Sequence, residues 1–347
     1  MDYNKIVQGI LDIGEAMLQS GAENFRLEDS FYRMCRSYGF KRSDVFVIPS
    51  NIQVTVETPE GEIITQIRHI ESSEPNFDQL DYLNNLCRYV CQHTPDENEM
   101  REKYLEVINR EPQKRITRYA AGIMGGTGFA VFFGCNLRDA VIAFIVSVMI
   151  VAVGDWLAKR ESNLLVYNGI LAFISEVIII GALKMGIAEH PDRIMIGIVM
   201  LLISGLSTTN GIRDLLQRDF ISGFINIMNS FLGAAGIAFG IGLAIILFHE
   251  GYSDHFILNH SVPIQLLSCT VACTGFALWF KIRGKQVWYN SIGAFFTWAI
   301  YVAVYAVKPS NFMATMIAAG FVGFYAFIMS RVNKAPSTIF LTASVFP

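Results

Sequence analysis

The sequence predicts an α-helical polytopic membrane protein of nine apolar spans, the last incomplete, with an N-terminal cytoplasmic α+β domain. Three observations predict it. Hydrophobic residues make up 52% of the 347 residues and mean hydropathy is +0.40, too apolar for an ordinary soluble chain. Charged residues crowd into 1–118, and the remainder breaks into apolar runs close to the about 20 residues that a spanning helix needs. Lysine and arginine recur in every second loop between those runs.

The N-terminal domain is expected over 1–116. Its start, MDYNKIVQGILDIGEAML, is amphipathic and carries acids, so no cleavable signal peptide is expected. Ile6, Ile10, Ile13, Met17 and Leu18 keep a helical spacing up to Gly21. A second helix is expected over 22–38, with Gly39 as its stop. DVFVIP (44–49), IQVTVET (52–58) and EIITQIRHI (62–70) alternate like strands. Pro49-Ser50-Asn51 and Pro59-Glu60-Gly61 supply turns, which makes a three-stranded meander. Asn76 is placed to cap a helix through Cys91. Thr94-Pro95-Asp96-Glu97 reads as a cap, a helix-start proline and first-turn acids, opening a helix to about Arg110.

The expected spans are 119–135, 139–158, 163–184, 193–210, 220–248, 262–281, 287–307 and 311–330, with an incomplete ninth from Pro336. The first five make one bundle over 117–255, and the rest a second over 262–347. Thr338 to Pro347 is too short to span, so the chain is expected to stop before its ninth span is complete. Lys114, Arg115 and Arg118 precede the first span, and Lys159 and Arg160 follow the second. Arg213 and Arg218 follow the fourth, Lys281, Arg283 and Lys285 the sixth, and Arg331 and Lys334 the eighth. The alternate loops hold few cations (Arg138, Lys184, Arg193 and Lys308), and 249–261 has no lysine or arginine. The positive-inside rule then places the N-terminal domain in the cytoplasm of a multi-pass protein of the cytoplasmic membrane.

Several function classes fall away. A net charge of −3 argues against a nucleic-acid partner. There is no G-x-x-x-x-G-K-[ST] motif for ATP-driven work. His249, Glu250, Asp254 and His255 do not form H-E-x-x-H, because Ser253 stands where the second histidine belongs. His69 and His93 have no paired nucleophile. Cys87/Cys91 and Cys269/Cys273 lie one helical turn apart, which suits packing better than zinc. No enzyme activity, cofactor or metal is expected. Gly122, Gly125, Gly126 and Gly128, and again Gly233, Gly236 and Gly240, fit close helix packing.

The candidate transport residues follow from polarity where lipid would forbid it. Ser204 to Asp219 (SGLSTTNGIRDLLQRD) follows an apolar run yet is small, hydroxylated and then charged. Such backbone at membrane depth must line a cavity or be covered by protein. Ser207, Thr208, Thr209 and Asn210 are candidate substrate-lining residues if the helix is interrupted there. Arg213 and Asp214 read either as a cytoplasmic gate with a guanidinium for a carboxylate or as a solvated loop. Asp219 closes the charged cluster. Glu176 lies about 20 Å along its span from Asn163 at the helical rise, and Asn168, Ala172 and Glu176 make a stripe. An ionisable residue at that depth reads as the proton-coupling carboxylate; the alternative is a protonated or hydrogen-bonded structural glutamate. Ser222, Asn226 and Asn229 share one face of the fifth span, as substrate ligands or as interhelical glue. Asp155 with Lys159 four residues on reads as a helix-end ion pair. Glu23, Arg26, Glu28 and Asp29 at a helix start suit the helix dipole.

GAENFRLEDSFYRMCRSYGF (21–40) and SGLSTTNGIRDLLQRDFISG (204–223) carry a family resemblance. They resemble the Gly-Ala-Glu-x-x-Arg-x-Glu signature and the Asn-x-Ile-Arg-Asp segment of the threonine/serine exporter family (ThrE), which is related to the two-part YjjP/YjjB-type exporters. PSTIFLTASVFP (336–347) resembles the start of the family's second such segment. Ser204 stands where the family usually has proline. The resemblance implies a bacterial secondary transporter of the cytoplasmic membrane. It would export threonine or serine in exchange for protons, as an antiporter. Its partners would be a small carboxylate metabolite, protons and membrane lipid, with a homo-oligomer left open. Succinate-type dicarboxylate export is the first alternative, and a membrane sensor or scaffold acting through the soluble domain is the second. A dicarboxylate site calls for two deep cations, and only Arg213 stands near.

Overall fold

The computed structural model describes residues 2–71, 74–203, 205–248 and 261–344. The chain divides into two compact units. One comprises Met1–Pro112 with Ser207–Ile227, and the other Gln113–Leu206 with Met228–Pro347.

The first unit opens with α1 (Tyr3–Gln19) and α2 (Asn24–Ser37). Asp2 caps α1 by accepting from the Asn4 and Lys5 N–H groups. Gly21 and Gly39 follow the two helices at φ +89° and +76°, a region where glycine has no steric penalty. The strands β1 (Arg42–Ile48), β2 (Asn51–Glu57) and β3 (Ile63–His69) form an antiparallel sheet in the order β1-β2-β3. The register pairs Val45 with Val54 and Val54 with Gln66. This is the meander that the alternation predicts. Its inner face (Ile52, Val54, Val56) is fully buried, as are Ile6 and Ile10 of α1 and Leu27 and Phe31 of α2. The Phe31 ring lies where a Cβ on Gly14 would be, so α1 and α2 meet closely.

Helix α3 (Phe77–His93) is capped by Asn76 as expected. Helix α4 (Glu97–Ile108) starts later than Thr94. Asp96 is its N-cap and accepts from Asn98 and Glu99 N–H, while Thr94 ends α3 at φ 43°. The carboxylate of Asp96, not the threonine hydroxyl, meets the orphan donors.

The second unit is helical: α5 (Arg115–Phe132), α6 (Leu137–Leu157), α7 (Leu164–Lys184), α8 (Pro191–Leu202), most of α10 (Phe220–Phe248), α11 (Val262–Trp279), α12 (Lys285–Val307), α13 (Asn311–Asn333) and α14 (Ser337–Ser344). Helix α9 (Gly205–Leu216) links the units in sequence. Among the described residues six helices (α6, α7, α10, α11, α12, α13) are long and apolar enough to cross a membrane, or seven if α8 and α9 count as one broken span. The sequence expectation of nine included α5 and the C-terminal segment. Glycine and arginine dilute α5, and α14 has eight residues. His249, Glu250, Asp254 and His255, and Ser204, lie outside the described residues.

Small residues let these helices approach. Gly128 of α5 faces Ala272 of α11, where an added Cβ would sit 3.0 Å from the Ala272 Cα. Gly122 and Gly126 leave room for Val151 and Ser147 of α6, and Gly236 and Gly240 face the α7 backbone at Leu165 and Gly169. Both glycine stripes thus serve packing, the van der Waals route to helix association in membranes. Among the described residues all six cysteines are free thiols. Asp155 pairs with Arg118 at 2.8 Å, not with Lys159. Helix α6 ends at Leu157, so no helical turn brings Lys159 beside it.

Candidate functional site

Each unit holds buried charge, and the two sets are built differently. In the first unit Glu23 stands at the N-cap of α2 in extended conformation, with no side-chain cap bond. Its carboxylate is committed elsewhere: it pairs with Arg213 of α9 and lies 3.5 Å from Arg26 Nε. Asn24, the next residue, donates from Nδ2 to Asp214 Oδ2 at 3.3 Å, and Asn226 of α10 donates to the same oxygen at 3.0 Å. Asp214 is 4% exposed. Two stretches nearly 200 residues apart therefore close one network. Helix-dipole preference alone does not account for Glu23.

The backbone makes this possible. Arg218 turns the chain between α9 and α10 at φ 68°. Asp219 then accepts from Ser222 N–H at 3.3 Å, and its own N–H donates to the Asp214 carbonyl at 2.9 Å. A Cβ on Gly211 would lie 3.0 Å from the Gly223 carbonyl oxygen, and one on Gly223 2.9 Å from that of Gly211. Glycine at both positions lets the two backbones cross that closely. Ser222 is fully buried and donates to the Val47 carbonyl at 3.4 Å, which joins α10 to β1. Glu28, one turn into α2, has its carboxyl raised from the ordinary value. Burial is the main cause; Asp219 and Asp214 add to it, and a hydrogen bond with the Val47 backbone opposes it.

In the second unit Glu176 lies on α7, 1% exposed, and neither carboxylate oxygen has a hydrogen-bond partner among the described residues. A void of about 10 Å³ beside it is lined by Ala172, Ser175, Ile179, Met195, Ile198 and Leu202, among others. That is near the lower limit for one water and far too small for an amino acid. Ser175 donates to the Leu171 carbonyl one turn back and so is turned to its own helix. Asn168, on the predicted stripe, donates to the Gly233 carbonyl at 3.3 Å and is occupied by packing.

The predicted site residues therefore divide. Arg213, Asp214, Asp219, Ser222 and Asn226 come together in the first unit, and every one has a protein partner there. Asn229 is exposed. Ser207 and Thr208 are half-buried and Thr209 exposed on α9. The Asn210 side-chain oxygen is buried without a partner among the described residues. Helix α8 does end before α9: Ile203 is extended at φ −75°, ψ 133°. The interruption thus occurs without a proline. Asn24 is the residue that sequence reasoning missed. Its signal was position alone, next to Glu23 in the signature stretch. Among the described residues no cluster of three or more His, Cys, Asp or Glu side chains is placed to hold a metal ion.

Two family models match the chain one after the other. Residues 8–248 match the family model described as "Putative threonine/serine exporter", and residues 265–347 match "Threonine/Serine exporter, ThrE". The "Threonine/serine exporter" of Corynebacterium glutamicum is 23% identical over 96% of this chain and 71% of its own length. The "Probable threonine/serine exporter" of Mycobacterium tuberculosis (strain ATCC 25618 / H37Rv) is 21% identical over 99% of this chain and 67% of its own length. No solved structure matches the chain. With one family model spanning most of the chain and a second following it in order, the chain belongs to the threonine/serine exporter family.

Proposed function

We propose that this protein exports threonine, serine or a similar small amino acid across the cytoplasmic membrane, and that Glu176 couples export to proton entry. The observation that carries the reading is the Glu176 carboxylate, 1% exposed on an apolar helix of spanning length with neither oxygen hydrogen-bonded among the described residues. An unpaired charge in apolar surroundings costs several kcal/mol or more. A carboxyl kept there serves a cycle in which a proton binds and leaves. The nine-span topology with a cytoplasmic N-terminal unit rests on the loop charge bias.

The substrate reading rests on the family match and on the composition of α9. The first turns of α9 carry Ser207, Thr208 and Asn210, hydroxyl and amide side chains of the kind that bind an amino acid. Arg213 is held by Glu23 and so is not free for a second carboxylate, which favours an amino acid over succinate.

Proteoliposomes holding the full chain test this. Labelled serine, threonine and succinate are offered with and without an imposed pH gradient, for wild type and Glu176→Gln. Gradient-dependent serine or threonine flux that Glu176→Gln abolishes is the expected result. Succinate flux alone moves the protein to the dicarboxylate branch. Flux that ignores both the gradient and the substitution removes the coupling role.

A further inference from the structure

We propose that Glu23 and Asn24 are positioning residues for transport: they hold Arg213 and Asp214, so the segment 207–227 can rearrange during the cycle only by releasing the N-terminal unit. The proposal rests on the export reading for its functional half.

The geometry argues it in three steps. First, the contacts join the start of α2 to one turn of α9. Glu23 pairs with Arg213 and Asn24 with Asp214, consecutive residues meeting consecutive residues. Second, the segment is tied again through α10: Ser222 donates to the Val47 carbonyl of β1, while Asn226 donates to Asp214 within the segment. The α9–α10 hairpin is thus held near its turn by both α2 and the sheet. Third, the holding groups have low exposure: Glu23 9%, Asn24 5%, Asp214 4% and Ser222 0%. Low-dielectric surroundings make such pairs costly to leave half-broken. Partial release is therefore disfavoured, and the segment is either engaged or free. A bistable element of this kind turns a small change at one end into a discrete rearrangement.

Neither of the two residues touches substrate in this reading. They act through Arg213 and Asp214, which follow Asn210 on the same helix.

The test combines flux with accessibility in the full chain. Four proteins are compared: wild type, Glu23→Gln, Arg213→Gln and the exchange Glu23→Arg with Arg213→Glu. Flux is measured on these four as they stand. Labelling is measured on the same four with Ser222→Cys, on a background where the partly exposed Cys91 is serine, and Ser222→Cys alone is the labelling reference. Labelling of Cys at 222 by a water-soluble maleimide reads release of the segment from β1, and it needs no transport. Each single substitution is expected to raise the labelling rate at least fivefold and to lower the maximal serine flux at least fivefold, with KM within twofold of wild type. The exchange is expected to bring both back to within twofold. Labelling unchanged by the single substitutions, or an exchange no better than either single variant, overturns the proposal. If wild type moves no substrate while labelling follows the expected pattern, the export reading fails and the positioning of the segment stands.

Discussion

Asp214 and Glu176 are both carboxylates with almost no exposure, 4% and 1%, yet their surroundings differ. Asp214 accepts from two amides, with an arginine beside it in sequence that is itself paired to Glu23. Glu176 has an apolar void and no hydrogen bond to either oxygen among the described residues. A buried polar group with its partners in place specifies one arrangement. A buried polar group without them is a cost that folding alone does not justify. In the proposed reading the first kind positions and the second carries the proton.

The largest effect separates them by function. Glu176→Gln is expected to reduce gradient-driven amino-acid flux to background while the purified protein stays monodisperse. The amide keeps the size of the acid and loses the titratable proton. Full flux in this variant would place the coupling group elsewhere.

Stability separates them next. Glu23→Gln leaves the Arg213 guanidinium, only 27% exposed, without its anion. Breaking a fully buried pair costs about 3–5 kcal/mol and an exposed one under about 1 kcal/mol. The partial exposure places this loss at about 2 kcal/mol, read as a fall in the unfolding midpoint in detergent. An unchanged midpoint would mean that the pair adds nothing to the fold.

A matched pair of leucine substitutions sharpens the contrast through its sign. Asp214→Leu strands the amides of Asn24 and Asn226, at a cost on the order of 1–3 kcal/mol. Glu176→Leu strands nothing among the described residues and removes a buried polar group, so its midpoint is expected to stay or rise. Equal falls in both would show that Glu176 has a structural partner.

The same contrast explains what the sequence makes legible. Glu176 can be singled out because one acid in an apolar helix violates a local rule that a single stretch displays. The helices and the meander are legible for the same reason: periodicity, turn residues and caps act over a few positions. The boundary at Thr94 was missed by two residues, because two good capping residues compete there and only backbone geometry decides. The Glu23–Arg213 pair is not legible. Each partner has a sufficient local explanation, one as a helix-start acid and the other as a loop cation that fixes topology. Only the fold brings residues 190 positions apart together. Asn226 and Asn229 are alike in the sequence, and only the fold distinguishes them: Asn226 reaches Asp214 while Asn229 is exposed.

The smallest effect concerns Glu28 and its pH dependence. Its carboxyl is raised above the ordinary 4.5, by burial first and then by the charges of Asp219 and Asp214, against the hydrogen bond with the Val47 backbone. The folded state therefore binds this proton more tightly than the unfolded chain does. By linkage, the Glu28 contribution is fully present below the ordinary value and is lost as pH rises through the raised one. The charges that act on it are those of Asp219 and Asp214, both negative. Ionising Glu28 therefore adds a further negative charge beside two carboxylates. The engaged arrangement of 207–227 should loosen as pH rises from mildly acidic values. Glu28→Gln should flatten that slope without changing the acidic end. Maleimide labelling of Ser222→Cys across the pH range, corrected for the reagent's own pH dependence, measures it. A slope that Glu28→Gln leaves intact would assign the titration to another member of the cluster.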